Sequence, residues 1–162
     1  MARLVYTIGY SGYRPEAFLN KLREKEVKVV VDVRRYPRSK IPFYTAESLK
    51  TVLQGAGITY TWLGELGALG IKGPGAGCST SPTFDAYVWR LRNHVPAVLQ
   101  LQQLEELAYR SVVAILCREE NWRHCHRQFI ADYLTKRGFA VIHIRRHSEE
   151  AHEETDCYDT IG

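Results

Sequence analysis

Two short runs of apolar, mostly β-branched residues, VKVVVDV at positions 27–33 and SVVAILC at 111–117, constrain the fold of this chain most. Each is almost continuously hydrophobic, which is typical of strands that are buried on both faces of a parallel sheet. Parallel neighbours need crossover connections, usually helices, and segments with helical spacing flank both runs. We therefore expect strands and helices to alternate along the chain.

The rest of the sequence continues this alternation. Proline disfavours a helix interior, so we expect a break near Pro96, and Thr45 is placed to cap a helix. The pattern predicts an α/β fold: a single three-layer domain, with a mostly parallel sheet of about five strands and helices on both faces. Strands are predicted at 4–8, 27–33, 58–63, 111–117 and 140–146, and helices at 16–26, 45–57, 84–109 and 122–138.

Polar, charged and glycine-rich stretches follow every predicted strand. They are GYSGY, DVRRYPRSK, LGELG, CREEN and RRHSE, in chain order. Ligands of open parallel sheets bind outside the carboxyl ends of the strands. The sequence therefore predicts a functional site at that edge of the sheet.

Charge is distributed unevenly along the 162 residues. All 22 Lys and Arg residues lie at or before Arg146 and six of the 18 acidic residues follow it, so residues 1–146 carry a formal charge of +10 and the tail carries −6. We interpret 1–146 as a single α/β domain and 147–162 as an acidic tail, which either is solvated or folds over the basic segment RRYPRSK. The basic body suggests an anionic partner, although a solvated surface explains it equally well.

Neither a signal-peptide core nor an apolar run of about 20 residues is present, so we expect a cytoplasmic protein without a membrane segment. In such a reducing compartment the cysteines are expected to be free thiols or metal ligands rather than disulfides. The four cysteines are Cys78, Cys117, Cys125 and Cys157.

The segment CREENWRHCHR, residues 117–127, has three interpretations. The C-x5-R spacing from Cys117 to Arg123 resembles a phosphate-binding thiolate loop, but two glutamates and the lack of glycine oppose it. A metal site would need tail residues to complete it, and we assign none. A helix start capped by Asn121 explains more, because it would lower the pKa of Cys125.

Further candidate site residues follow the other strands. Glu65 lies between glycines and is a candidate general acid or base, and Asp32 is expected to orient a neighbouring arginine. We predict catalytic roles for Glu65, Cys117, Cys125 and His126, and ligand-binding roles for Gly9, Tyr10, Ser11, Asp32, Arg34, Arg35, Arg38 and Arg127.

Taken together, YTIGYSGY, VVDVRRYPRSK, IPFYTAESL, YTWLGELG and AILCREENWRHCHRQFIADYL resemble domain-of-unknown-function family 488 over about residues 4–146. One departure is Ala68, where the family tends to have glycine, and it affects only a local turn. The resemblance implies the fold and the position of the site, through a cysteine–histidine–arginine signature formed by Cys117, Cys125, His126 and Arg127. It supplies no reaction and no cofactor.

Two classes of function fit these features. One is an enzyme that acts on a phosphorylated or nucleotide-like ligand with the Cys, His, Arg and Glu residues above. The other is a non-catalytic module that binds nucleic acid or a nucleotide in the same basic, aromatic-flanked cleft. Steep salt dependence of binding would favour the nucleic-acid module, because each phosphate contact releases counterions.

Overall fold

The computed structural model describes residues 3–162, and its centre is one six-stranded sheet. The strands lie in the order β3-β2-β4-β1-β5-β6. The first five pair in parallel, and β6 is antiparallel to β5. The predicted α/β class with a mostly parallel sheet is confirmed, with one strand more than expected. The strands are β1 (Leu4–Gly9), β2 (Val29–Asp32), β3 (Thr59–Trp62), β4 (Val113–Cys117), β5 (Ala140–Ile144) and β6 (Glu149–Ala151).

Five α-helices connect the strands, together with three short 3-10 turns. The predicted long helix is divided at His94, and Pro96 lies in the first turn of the second piece, where a missing N–H is harmless. Thr45 caps its helix by accepting a hydrogen bond from the backbone of Ser48, as predicted. The helices are α1 (Pro15–Glu24), α2 (Ala46–Gly55), α3 (Pro82–Asn93), α4 (Val95–Arg110) and α5 (Arg127–Lys136). No described helix is long and apolar enough to cross a membrane.

The sheet is covered on both faces, which creates two hydrophobic cores. Along β2, Val29 and Val31 pack into one core and Val30 into the other, as the two-residue period of a strand requires. One core includes residues of α1 and α2, and the other includes residues of α3, α4 and α5. This double burial explains why the central strands are almost entirely aliphatic.

The predicted helix at 122–138 begins five residues later than expected. Asn121 does cap a turn, but that turn is a 3-10 segment, Trp122–His124, and α5 starts only at Arg127. Cys125 has an extended backbone and ends the turn. Cys125 and His126 therefore lie in the connection before α5, not within its first turns as predicted.

The acidic tail is part of the fold, and the expectation that it is solvated or covers RRYPRSK is wrong. Strand β6 extends the sheet at the edge opposite β3, away from β2 and the basic segment that follows it. Glu150 pairs instead with Arg123 and Arg145. That residues 1–146 form a domain of their own stays a prediction.

A disulfide joins Cys78 to Cys157, so the expectation of four free or metal-bound cysteines is wrong for these two. Ile161, near the end of the tail, is buried in the same core as Cys157. The sequence did not predict the pairing because 79 positions separate the two cysteines. Among the described residues, Cys117 and Cys125 are the free thiols.

Candidate active site

A cavity of about 370 Å³ opens at the carboxyl ends of β1, β2 and β4, the sheet edge at which the sequence predicted a site. Two sulfur atoms contribute to its wall, and arginine, histidine and aromatic side chains surround them. The lining residues are Tyr10, Arg34, Arg35, Tyr36, Arg38, Ala68, Leu69, Thr83, Phe84, Cys117, Arg118, Glu119, His124, Cys125 and His126.

The two free thiols contact each other at this wall. The Sγ atoms of Cys117 and Cys125 are 2.6 Å apart, and both residues are almost completely buried. Cys117 ends β4, and the extended backbone at Cys125 brings the second sulfur to the first. A small movement would bring them to the ~2.05 Å of a disulfide bond, so this is a pair able to share one proton or form a bond.

Arg127 supports the thiol pair from behind. Its guanidinium is fully buried and donates to Cys117 Sγ at 2.6 Å, to the carbonyl oxygen of Glu119 at 2.6 Å and to Thr7 Oγ1 at 3.0 Å. Because these contacts use the guanidinium inside the protein, the structure places Arg127 beside the sulfur and not on the cavity wall. Its predicted ligand-binding role is not supported by this placement.

The two thiols have opposite acidities. Burial opposes the charged form of Cys125, but the hydrogen bond from Cys117 and the positive charge of Arg127 outweigh it and lower the pKa of Cys125 to about 7. Burial and the neighbouring Cys125 raise the pKa of Cys117. Since one proton serves both sulfurs, the favoured arrangement has a thiolate at Cys125 and a thiol at Cys117 that donates to it.

His126 is held in the tautomer that suits a proton acceptor. Its Nε2 lies 3.0 Å from the carbonyl oxygen of Val33, which only accepts hydrogen bonds, so Nε2 carries the proton. Nδ1 is then free to accept, and it faces Cys125 Sγ at 3.7 Å. Burial lowers the pKa of His126, which keeps the ring neutral near pH 7. The thiol of Cys125, the ring of His126 as its base and the Val33 carbonyl that orients the ring thus follow one another.

Asp32 orients Arg34, the role that the sequence favoured for it. The carboxylate is fully buried and receives two hydrogen bonds from the Arg34 guanidinium, at 2.7 and 2.9 Å. The backbone N–H of Arg34 donates a third at 3.1 Å and the Tyr60 hydroxyl a fourth at 2.5 Å, and burial together with Asp32 raises the pKa of that phenol. Arg34 lines the cavity, stacked near the ring of Tyr10, whereas Asp32 lies behind it.

The outer wall is basic and aromatic. Tyr36 is half-exposed, and the guanidinium groups of Arg35 and Arg38 lie 5.5 and 5.4 Å from the centre of its ring. Arg35 also donates to the carbonyl of Leu69 at 3.1 Å, which connects the two sides of the cavity. This wall offers cations and an aromatic face to an anionic, planar ligand.

The structure does not bring Glu65 to the cavity. Its carboxylate pairs with Arg90 at 2.5 Å and lies 3.7 Å from His94, both of which belong to the segment where α3 meets α4. The backbone N–H of Glu65 donates to Gln100. The 3-10 turn Gly64–Leu66 follows β3 and directs the side chain towards the helices, which the glycine pattern did not reveal.

The end of β1 and the loop after it contain three residues that were predicted to bind a ligand, and each lies in a different environment. Gly9 is packed against the loop after β4, because a Cβ there would lie 1.7 Å from the carbonyl oxygen of Glu119. Tyr10 lines the cavity, and Ser11 lines a neighbouring one. Gly9 is therefore needed for backbone packing at the site, and its placement gives no sign of a ligand contact.

Sequence reasoning missed several residues. Arg118 and His124 line the cavity and lie within the segment quoted for its cysteines, so their position after β4 was an available signal. A buried hydrogen-bond chain had no local signal: it runs from Thr7 through His143 and His152 to Asp132, with contacts of 2.6, 2.9 and 2.7 Å. Thr7 also accepts from Arg127, so this chain helps to position the arginine.

The described residues contain no group of three or more His, Cys, Asp or Glu side chains placed to hold a metal ion. The model of the family described as "Domain of unknown function DUF488" matches residues 14–134. This match covers most of the cavity wall, including both thiols, and it confirms the resemblance. No curated protein and no solved structure gave a match.

Proposed function

Since the chain belongs to the DUF488 family, whose description names no reaction, we propose from the site itself that it is a thiol-dependent enzyme acting on a phosphorylated or nucleotide-like small molecule. One observation carries the proposal: the low-pKa thiol of Cys125 opens into a cavity whose walls are rich in arginine. A nucleophile and a cationic ligand-binding wall are the two parts that such chemistry needs.

In this proposal Cys125 is the nucleophile. His126 Nδ1 accepts the thiol proton, and the hydrogen bond from Cys117 and the charge of Arg127 stabilise the thiolate. The thiolate attacks an electrophilic atom of the ligand, and the leaving group departs with the bonding electron pair. Arg35, which is less buried than Arg34, binds the anionic group of the ligand at the cavity wall. Arg34 has its guanidinium bonded to Asp32 and to the carbonyl oxygens of Tyr44 and Arg38, so it contributes positive charge rather than a direct contact.

The thiolate is tested by alkylation of the full chain with iodoacetamide under non-reducing conditions, mapped by mass spectrometry. The pKa of Cys125 lies below its ordinary value of 9.0, so the alkylation rate should rise between about pH 6 and pH 8 and then level off. Cys125→Ser should abolish this phase, and Cys117→Ser should shift it to higher pH. A rate that still rises above about pH 9 would contradict an activated thiol.

The ligand class is tested by protection of Cys125. Inorganic phosphate and pyrophosphate should slow its alkylation, and Arg35→Gln should weaken that protection because a cation of the cavity wall is lost. A panel of phosphorylated compounds and nucleotides can then be screened for turnover that requires Cys125. Equal alkylation rates with and without both anions would remove the support for a phosphorylated ligand.

A second candidate, a module that binds nucleic acid, rests on the half-exposed ring of Tyr36, which lies close to the guanidinium groups of Arg35 and Arg38. Such a platform can stack a base while the arginines contact phosphates. Fluorescence anisotropy with single-stranded DNA distinguishes the two functions. The module requires affinity that falls steeply with salt and survives Cys125→Ser, whereas the enzyme requires small ligands that protect Cys125.

A further inference from the structure

A second cavity, of about 530 Å³, adjoins the first. Tyr10, Arg38 and Arg118 line both, so the two spaces share a boundary. Lys40 and Ser39 belong to the second cavity alone. The two spaces are therefore neighbouring parts of one cleft, and the thiols line only the first of them.

The second cavity is lined by cations that have no acidic partner. Some arginines elsewhere are paired with acidic residues: Arg145 with Glu120, for example, and Arg90 with Glu65. Within residues 3–162, neither Arg38, Lys40 nor Arg118 forms an ion pair. Unpaired cations converging on a concave space attract an anion, because their charges are not neutralised by the protein.

Two further groups add to this character. The guanidinium of Arg146 lies 3.0 Å from where a Cβ of Gly12 would stand, so the absence of a side chain at Gly12 makes room for it. The hydroxyl oxygen of Ser39 accepts from the backbone N–H of Ile41 at 3.1 Å, which leaves its own proton free to donate. The Ser39 hydroxyl lines the cavity and suits the oxygens of a phosphate, and Arg146 adds positive charge beside Gly12, which also lines it.

We infer that this second cavity, bordered by Arg38, Lys40 and Arg118, is a second phosphate-type subsite, and that the ligand of the cleft carries two separate anionic groups. This inference rests on the proposed function for the first group, which lies near Cys125. The second group lies beyond Arg38 and Arg118, and the ligand spans the boundary between the cavities. Selectivity for doubly anionic molecules over singly anionic ones follows, because only the former engage both sets of cations.

The probes are inorganic phosphate and a series of linear α,ω-bisphosphonates with increasing numbers of methylene groups. Their affinities for the full chain are measured by calorimetry and by protection of Cys125 from iodoacetamide. A bisphosphonate of optimal length should bind about tenfold or more tightly than phosphate, because its second group binds intramolecularly. Affinities that equal that of phosphate at every length would overturn the inference.

Lys40→Gln is the informative variant, because Lys40 lines the second cavity alone. It should weaken the best bisphosphonate about tenfold, the size of one lost charge-assisted contact, and leave inorganic phosphate protection of Cys125 unchanged. Lys28→Gln is the matched control: it removes the same charge at the opposite edge of the sheet, before β2. Equal losses in the two variants would mean general charge attraction and would overturn the subsite.

The outcomes of these experiments distinguish this inference from the proposed function. Protection by phosphate with no advantage for any bisphosphonate leaves the thiol enzyme standing and removes the second subsite. Calorimetric binding of a bisphosphonate that depends on Lys40 but leaves Cys125 alkylation unchanged supports an anion site at the second cavity, and it contradicts both the proposed function and a ligand that spans the two cavities. Tight binding of single-stranded DNA together with no bisphosphonate preference would assign the cations to a nucleic-acid backbone and overturn the inference.

Discussion

Replacing Arg127 by methionine would test the arrangement behind the thiols. Methionine fills much of the same space but donates nothing, so Cys117 Sγ, the Glu119 carbonyl and Thr7 Oγ1 lose their shared donor. Each buried acceptor left unsatisfied costs about 1–3 kcal/mol, and release of a buried charge offsets part of the sum. We expect the free energy of unfolding to fall by about 3–5 kcal/mol, as is usual when a buried ionic contact is broken.

The same substitution should make Cys125 less reactive. Arg127 is one of the groups that lower the pKa of Cys125 to about 7 from an ordinary value of 9.0. If the pKa returns to the ordinary value, the thiolate fraction at pH 7 falls from about one half to about one per cent, and alkylation slows about 50-fold. Partial return of the pKa gives a proportionally smaller effect in the same direction.

Urea denaturation followed by tryptophan fluorescence measures the first effect, since Trp122 is buried. Alkylation between about pH 6 and pH 9, without urea, measures the second. Arg118→Met is the matched control: Arg118 is exposed in the loop that follows β4, so its loss should change stability by no more than about 0.5 kcal/mol. A destabilisation of Arg127→Met below about 1 kcal/mol, with an unchanged pKa of Cys125, would refute the supporting role of the arginine.

Two further changes test the packing around the site. Gly9→Ala would put a Cβ 1.7 Å from a backbone oxygen, so the melting temperature should fall by an amount equivalent to about 1–3 kcal/mol or more. Gly55→Ala is the control and should be neutral, because a Cβ there meets no atom within 4 Å. Equal melting temperatures of the two variants would contradict the contact at Gly9. Cys157→Ser should cost roughly 2–4 kcal/mol by removing the cross-link to Cys78, and Cys78→Ser with Cys157→Ser should cost no more than either alone. An additive double variant would show that the two cysteines act independently.

The sequence by itself determined the architecture and the edge of the sheet at which the main cavity lies. Uninterrupted aliphatic runs require burial on both faces, and burial on both faces requires helices between parallel strands, so the alternation follows from local patterns alone. The position of the cavity follows from the same rule, because polar residues after each strand meet at one edge. The capping signal at Thr45 was also correctly identified, whereas Asn121 caps a 3-10 turn and not the helix predicted after it.

Only the tertiary structure decided how the site residues divide their roles. The direction of a side chain after a strand depends on which turn follows, and short 3-10 turns displaced both Glu65 and the start of α5 from their expected positions. The guanidinium of Arg127 contacts Cys117, and Cys78 is bonded to Cys157. Each contact joins residues that approach one another only when the chain folds. Such contacts depend on long-range packing, which no local spacing of residue types encodes. The distribution of charge and the fold could be predicted from the sequence, and the arrangement of the two thiols could not.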